Sequence, residues 1–489
     1  MIELLKKQSG MARTENGAAA YATTLSDCLD LFATVGALRH ATDNEIRARF
    51  IRAFIEDRDK AMKILFFARD IRCGLGERRV FRSVLKWLAE NETASVVKNI
   101  KYMAEFGRYD DLLTLIGTPA EGEMLAYLKS QLDADLQAME QGGEVTLLAK
   151  WLPSINASSP ETVAMAKRVS DAFEMNKAEY RKTLSALRGY IRIIENDLRK
   201  RDYTFDYGKQ PSKAMMKYRK AFLRNDGERY AAYLDKVING EAKLHADTVA
   251  PYELVEPYIH GGAEFHIDPA EKAALNVTWE SLPDFGNGEN MLPVIDTSGS
   301  MYYYYTPTPA AVALSLGLYI AERNSGAFRN CFIEFSGHPR LIELKGDNFV
   351  DKLRYIMSFS EIANTDLSAV FNLILGAAVV GGLPQSELPS KLVIISDMQF
   401  DYCVDNVDAT VFEDAKAKFE ANGYKLPEVV FWNVNGKLSR QPVQMNEQGV
   451  ALVSGCNANL FSKVAGGLAS PYEIMMDVLS SRRYESITA

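Results

Sequence analysis

The chain has 489 residues, of which 47% are apolar and 25% are charged, and its formal net charge is -8. This is the composition of an ordinary globular protein, so it excludes wholesale disorder, a collagen-like repeat and a fibrous coiled coil. At about 150 residues per domain the length predicts two large domains or about three smaller ones. The acidic total excludes a uniformly basic nucleic-acid-binding surface but permits one basic face.

The five cysteines are at least 45 residues apart, so the sequence contains no CxxC pair, zinc ribbon or dense disulfide framework. This spacing favours reduced thiols and a cytoplasmic location. The N-terminal apolar run is too short for a signal peptide, and no run in the chain reaches the about 18 apolar residues of a membrane-spanning helix. We therefore expect a soluble, unsecreted protein with no membrane partner.

The first half of the chain reads as helices. From about residue 25 to 245 the apolar residues recur at helical spacing, as in Leu29, Phe32 and Val35. The breaks between helical segments are short turns, for example at residues 73–77. This pattern predicts stacked pairs of amphipathic helices. Because there is no strict sequence period, both a degenerate α-solenoid and an irregular helical domain fit it.

After residues 281–290 the pattern changes to short β-rich runs that alternate with helical segments. Such alternation predicts βαβ units and a mainly parallel sheet covered on both faces. We therefore predict a helical domain over residues 1–280 and an α/β domain over residues 285–489. Ligands of open α/β folds bind beyond the C-terminal ends of the strands. The predicted strands lie in MLPVID, NCFIEFSG, KLVIISD, EVVFWNVNG and VALVSG, and the predicted helices lie in AAVALSLGLYIAERN, DLSAVFNLILGAAVV, VFEDAKAKFEANG and PYEIMMDVL.

A candidate metal site follows the first of these strands. Asp296, Ser298 and Ser300 form a D-x-S-x-S string there, while Thr365 opens a later helix and Asp397 follows another apolar strand. Oxygen ligands alone suit a hard divalent cation such as Mg²⁺ and disfavour zinc. The alternative is structural, with Asp296 capping the next turn and Thr365 capping its helix.

Together these five residues resemble the metal-ion-dependent adhesion site of a von Willebrand A domain. The separations, about 65 residues from Ser300 to Thr365 and about 30 from there to Asp397, are similar to that domain as well. The resemblance implies a Rossmann-like fold and a coordination platform, because one metal position is left for an outside carboxylate or water. Four tyrosines, Tyr302 to Tyr305, follow the string and could either flank a partner side chain or a stacked base, or pack beneath the loop.

Several strings of the first half extend the resemblance to nearly the whole chain. They are TENGAAAYATT, LDLFATVGALR, FFARDIRCGLGERRVFRSVLKWLAEN, NIKYMAEFGRYDDLL, KWLPSIN, YRKTLSALRGYIRIIEND and PSKAMMKYRKAFLRND. With the A domain they resemble the TROVE and von Willebrand A family of Ro ribonucleoproteins, and within it an uncharacterised bacterial and viral branch. The resemblance implies a monomeric ring of HEAT-like helical repeats closed by the A domain. It implies small or misfolded non-coding RNA, such as a Y-RNA-like molecule, as the partner.

A basic stretch gives an independent indication of RNA binding. Residues 177–236 contain sixteen Lys and Arg against eight Asp and Glu, a surplus of +8. Phosphate contacts require such a concentration of charge. The alternative is that the charged residues are solvated helix faces and that the tyrosines between them face the core. The tyrosines are Tyr180, Tyr190, Tyr203, Tyr207, Tyr218 and Tyr230, and the candidate RNA-binding residues are Arg181, Lys182, Arg188, Arg192, Lys213, Lys217, Arg219, Lys220 and Arg224.

The sequence argues against most enzyme classes. It has no second D-T/S-G loop, no G-x-S-x-G elbow and no P-loop, and the GLG turn at residues 74–76 lacks the preceding strand of a phosphate loop. The enzyme hypothesis that remains is Mg²⁺-dependent phosphoester hydrolysis at Asp296 and Asp397. We predict a non-catalytic RNA-binding scaffold with a divalent-metal ligand-binding site and without DNA as a partner. The alternative is a metal-dependent adhesion module that binds an acidic protein ligand and no RNA.

Overall fold

The computed structural model confirms a helical half followed by an α/β half. It describes residues 10–285, 289–303, 305–336, 338–359, 365–400, 410–436, 440–464 and 466–489. Within these ranges, no helix has both the length and the apolar character needed to cross a bilayer.

The helical half consists of helices that pack against their neighbours in the chain and are mostly joined by short segments. Ordinary capping chemistry starts several of them: Thr42 and Glu45 form a reciprocal capping box, as do Asn176 and Glu179. The helices are α1 (Asp27–Thr34), α2 (Asp43–Glu56), α3 (Arg58–Arg69), α4 (Arg78–Asn91), α5 (Thr93–Phe106), α6 (Tyr109–Leu112), α7 (Glu121–Glu140), α8 (Leu148–Trp151), α9 (Pro160–Ala172), α10 (Lys177–Tyr190), α11 (Ile194–Lys200), α12 (Ser212–Asn225), α13 (Gly227–Ile238), α14 (Tyr252–Val255) and α15 (Pro269–Glu280).

A two-stranded antiparallel hairpin, which the sequence analysis did not predict, precedes the first helix. Its strands are β1 (Met11–Arg13) and β2 (Ala19–Tyr21). Asn16 and Gly17 lie in the turn between them, and Gly17 has φ 90°. Asn-Gly is a strong hairpin signal because both residues tolerate positive φ. The hairpin belongs to the α/β half in space, since Tyr21 bridges to Gln441.

The α/β half is built on a six-stranded sheet. Its strands are β3 (Met291–Asp296), β4 (Cys331–Phe335), β5 (Arg340–Glu343), β6 (Lys391–Ser396), β7 (Glu428–Asn433) and β8 (Val450–Ser454). Their order in the sheet is β5-β4-β3-β6-β7-β8, and neighbouring strands are parallel except for β5, which is antiparallel to β4. The helices are α16 (Pro309–Arg323), α17 (Phe349–Met357), α18 (Leu367–Gly381), α19 (Val411–Ala421), α20 (Phe461–Val464) and α21 (Pro471–Leu479).

The strand order determines where a ligand site is expected. Starting from β3, the chain first adds strands on one side and then crosses to add β6, β7 and β8 on the other. The order therefore reverses between β3 and β6, which is the topological switch point of a doubly wound sheet. Both strands are buried along their whole length. In folds of this kind, ligands bind beyond the carboxyl ends of the strands at that point.

The α/β half contacts both ends of the helical half. At the first end, the Gly36 N–H donates to Ser454 Oγ at 3.0 Å, and a Cβ on Gly36 would lie 2.4 Å from the Ser454 carbonyl oxygen. At the other end, Trp279 of α15 stacks on Phe349 of α17 with ring centroids 4.3 Å apart. The α/β half therefore contacts the helical half both near its first helix and at its last helix.

The C-terminal residues complete this closure. The Arg483 guanidinium donates to Asp70 at 2.8 Å and to Glu105 at 2.6 Å, and it lies 4.3 Å from the centre of the Phe106 ring. The Tyr484 hydroxyl also donates to Asp70, at 3.2 Å. Asp70 is fully buried, so these donors replace the hydrogen bonds that water would supply. The tail thereby links the end of the α/β half to α3 and α5.

Replacing Arg483 with leucine is expected to lower the free energy of unfolding by about 1–3 kcal/mol, because a buried acceptor loses its charged donor. Urea denaturation followed by circular dichroism would measure the change. Arg482→Leu is the matched control, since Arg482 is exposed and is the neighbouring arginine. Equal effects of the two substitutions would contradict a closing role for Arg483.

Candidate functional site

Asp296 and Asp397, two of the predicted metal ligands, lie at the switch point of the sheet. Asp296 ends β3 and Asp397 directly follows β6. These strands are parallel, with Ile295 opposite Ile395, so Asp397 lies one residue beyond the position level with Asp296. Both side chains are buried. The candidate metal centre consists of these two residues together with Ser298, Ser300 and Thr365.

Asp296 is held from two sides. Its Oδ1 accepts a hydrogen bond from the Ser298 N–H at 2.9 Å, and its Oδ2 accepts one from Ser396 Oγ at 2.6 Å. Burial, followed by the charge of Asp397, raises the pKa of Asp296 to about 7. Two buried carboxylates that repel each other favour either a shared proton or a bound cation.

Ser298 and Ser300 lie on the same loop as Asp296, whereas Thr365 lies on a different segment, just before α18. Ser298 Oγ and Ser300 Oγ are 3.1 Å apart. Thr365 is buried, and its Oγ1 donates to the carbonyl oxygen of Gln399 at 3.0 Å, so it is tied to the loop that follows Asp397. The structure therefore brings Asp296 together with the two serines and ties Thr365 to the neighbouring loop.

The donor set fits a hard divalent cation. It contains carboxylate and hydroxyl oxygens only, which suit Mg²⁺, with water completing an octahedral shell. Among the described residues there is no group of three or more His, Cys, Asp or Glu placed to hold a metal ion. The candidate metal centre contains only two residues of these types, Asp296 and Asp397, and its other three ligands are hydroxyls. It has no His or Cys, so zinc is disfavoured. Mg²⁺ binding stays a prediction.

The N-terminal hairpin fastens the loop beside the metal centre, a contact that sequence reasoning missed. The Thr14 hydroxyl donates to the Phe400 carbonyl at 2.6 Å. Gln399 is held twice, since its side-chain Oε1 accepts from the Glu15 N–H at 2.9 Å and its carbonyl accepts from Asn16 Nδ2 at 2.8 Å. The Asn-Gly pair is a signal from which the hairpin could have been predicted. No pattern in the sequence indicates where the hairpin docks.

The tyrosines after the metal centre have different surroundings. Tyr303 is 53% exposed. Tyr305 stacks on His40 of the helical half with ring centroids 4.5 Å apart, which favours a packing role for that ring. Tyr304 lies outside the described residues.

The basic stretch contains a second candidate site. A cavity of about 730 Å³ opens between residues 154–156 and the helices α10 and α11. Three of its basic residues are among the RNA-binding residues predicted from the sequence. The other two, Arg199 and Lys200, were not predicted, although they stand in an Arg-Lys-Arg run. We call this cavity the basic groove, and its charged lining is Arg181, Arg188, Arg192, Arg199, Lys200 and the single acid Asp197.

Arg188 builds the wall of the basic groove. Its guanidinium donates to the carbonyls of Ala149 and Leu152 and to Ser154 Oγ, at distances of 2.7 to 2.8 Å. Its donors are therefore directed at the protein, and as a direct RNA contact it is a poor candidate. Beside it, Tyr180 is fully buried and donates to the Pro153 carbonyl at 2.9 Å.

The other four basic residues of the groove are different. Within the described part of the chain, Arg181, Arg192, Arg199 and Lys200 make no side-chain hydrogen bond and no ion pair within 4.0 Å. All four are exposed. Their charges are available to a ligand.

Several candidates on α12 are engaged within the protein. Arg219 was wrongly predicted to contact RNA: it is 5% exposed and faces Glu271 at 3.4 Å, because it lies on the same apolar face as Met215 and Phe222. Lys220 also approaches Glu271, at 3.4 Å. Lys213 pairs with Glu253, and Lys217 lies 4.8 Å from the Tyr218 ring centre. Lys182 and Arg224 are exposed and stay candidates.

Half of the tyrosines proposed for base stacking belong to the core. Tyr180, Tyr207 and Tyr230 are at most 3% exposed, so they were wrongly placed on the RNA-binding surface. Tyr207 and Tyr230 pack against each other with ring centroids 5.0 Å apart. Tyr190, Tyr203 and Tyr218 keep partly exposed rings.

The fold and these two sites define a two-part protein, a closed helical array joined to a doubly wound α/β half. Residues 14–131 and 126–284 match the family described as "Domain of unknown function (DUF2828)", and residues 290–466 match "Domain of unknown function (DUF7788)". The chain belongs to the DUF2828 family, whose match spans more than half of its length.

Two further comparisons bear on the fold. The Uncharacterized protein L728 of Acanthamoeba polyphaga mimivirus is 27% identical over 509 residues, which covers 96% of this chain and 87% of that protein. The crystal structure of the Ro (RSR) protein of Deinococcus radiodurans is similar with a TM-score of 0.50 at 13% identity, covering 90% of this chain and 100% of that one. This likeness supports a Ro-like fold for the whole chain.

Proposed function

We propose that this protein is a non-catalytic RNA-binding scaffold in which the helical half holds RNA and the metal centre binds a second ligand. The observation that carries the proposal is the basic groove, where four exposed cations line one cavity and, among the residues that the structure describes, form no side-chain hydrogen bond or ion pair within 4.0 Å. Charges held in this way attract phosphate, and the release of counterions from RNA adds to the affinity. The Ro-like fold supports RNA as the polymer.

The metal centre has the complementary role in the proposal. Asp296 and Asp397 at the switch point would hold Mg²⁺ together with the three hydroxyl residues, and the ion would supply a positive charge with an open coordination position. The exposed ring of Tyr303 follows the metal centre in sequence and could flank what binds there. An acidic side chain of a protein partner has the chemistry to complete such a shell.

Purification of the full chain from cells tests the proposal directly. We expect RNA to co-purify, seen as a raised ratio of absorbance at 260 nm to that at 280 nm which ribonuclease abolishes, and sequencing would identify it. Protein that purifies without nucleic acid and also fails to bind added RNA would overturn the proposal. In that case the adhesion module without RNA would be favoured.

A further inference from the structure

We propose that the basic groove is a polyphosphate site, which binds the terminal phosphate chain of a nucleoside triphosphate or of a 5′-triphosphorylated RNA. The two sources share one chemistry, several adjacent phosphates at the end of a molecule. The RNA source rests on the proposed function, whereas the free nucleotide does not.

The charge of the groove is matched to such a group. Five basic residues and one acid line it, so its formal charge is 5 - 1 = +4. An internal phosphodiester carries one negative charge, while a terminal phosphate carries about -1.5 to -2 and each further phosphate in the chain adds about one more. A cavity of about 730 Å³ falls within the size range of small-ligand sites. It therefore suits a compact, highly charged group.

The groove is preformed. Arg188 is fixed by three hydrogen bonds to residues 149–154, and its own carbonyl accepts from Asn196 Nδ2 of α11 at 3.2 Å. Tyr180 also lines the groove, and its hydroxyl donates a hydrogen bond to the Pro153 carbonyl. These contacts join α10, α11 and the segment before α9, so the cations are presented on a fixed frame, which lowers the ordering cost of binding.

The basic residues that line the groove outnumber its acids. Arg181, Arg192, Arg199 and Lys200 share one cavity in which Asp197 is the single acid, and like charges that are close together repel. On the next basic helix the arrangement differs, because Lys213 and Lys220 have glutamate partners. Charge is thus left uncompensated around the cavity, which favours a terminal group over a long tract of internal phosphodiesters.

Arginine suits this ligand better than lysine would. A guanidinium offers five donors in a planar fork that matches phosphate oxygens in pairs. Three of these four cations are arginines, and they come from the second turn of α10, the α10–α11 turn and the last turn of α11. Their different origins allow them to approach a phosphate chain from several directions.

Fluorescence anisotropy with the full chain tests this inference. The probes are one 12-nucleotide single-stranded RNA labelled at its 3′ end, with either a 5′-triphosphate or a 5′-hydroxyl, in buffer without divalent metal. We expect the 5′-triphosphate RNA to bind at least tenfold more tightly, and we expect a free nucleoside triphosphate and inorganic tripolyphosphate to compete for its site. Arg192→Ala combined with Arg199→Ala should remove this preference, whereas the control Lys177→Ala, an exposed residue of α10 outside the groove, should retain it.

The outcomes separate the two proposals. Equal affinity for both RNA ends, with binding retained, would overturn the polyphosphate site and leave RNA binding standing. Binding of the free triphosphate without binding of either RNA would support the polyphosphate site and overturn the proposed function. If neither RNA nor triphosphate binds, both are overturned. Thermal melting of each variant would verify that it is folded.

Discussion

Reversing three charges of the basic groove, by Arg181→Glu, Arg192→Glu and Arg199→Glu together, is expected to weaken RNA binding by a factor of about a hundred or more. Each charge-assisted hydrogen bond is worth about 1.5–3 kcal/mol, and about 1.4 kcal/mol corresponds to a tenfold change in affinity. Repulsion by the new carboxylates adds to the loss. Because all three side chains are exposed, the fold should be unaffected.

The matched control is another triple reversal with the same change in net charge. Lys86, Lys167 and Lys425 are exposed lysines outside the groove, and their replacement with glutamate should reduce RNA affinity only slightly. Titration of a labelled single-stranded RNA, followed by anisotropy, compares the two variants. A similar loss in both would mean that RNA responds to the overall charge of the protein, and the groove would no longer be the binding site.

The second large effect concerns the metal centre. Mg²⁺ at a concentration about a hundred times its dissociation constant is expected to raise the free energy of unfolding by about 2.7 kcal/mol, because the ion binds the folded state alone. For an α/β half of this size that corresponds to a rise of about 5–10 °C in the melting temperature. Asp296→Asn should abolish the rise, since it removes one of the two buried carboxylates.

Differential scanning calorimetry with Mg²⁺ and with EDTA would measure this difference. Asp477→Asn is the control: Asp477 also belongs to the α/β half, but its side chain is 75% exposed. It should leave the Mg²⁺-dependent rise intact. If the melting temperature of the unmodified protein is the same in Mg²⁺ and in EDTA, the metal centre is refuted.

The α/β half was largely predictable because its central strands are buried on both faces and read as continuous apolar runs. Asp296 and Asp397 stand at the ends of two such runs, so their meeting followed from parallel pairing alone. β5 was missed since its burial pattern is mostly exposed and gives no apolar run. The hairpin docked against Gln399 was missed because contacts between residues more than 380 positions apart leave no local pattern.

The basic stretch was predictable as a region and not as a site. The burial of Arg219 could have been predicted from the sequence, because Met215, Arg219 and Phe222 recur at helical spacing on one face of α12. The pairing of Lys213 with Glu253 depends on how distant segments fold together, which no spacing encodes. The same holds for the groove, where Ser154 and Lys200 meet across 46 positions of the sequence.

The most direct measurement of RNA binding is the affinity of the unmodified protein for a short single-stranded RNA over a range of salt concentrations. Four cations of the groove that contact phosphate should give a slope of about -3 for the logarithm of the binding constant against that of salt concentration, at about -0.7 per contact. An affinity that does not change with salt, or no binding at low salt, would contradict an RNA-binding scaffold.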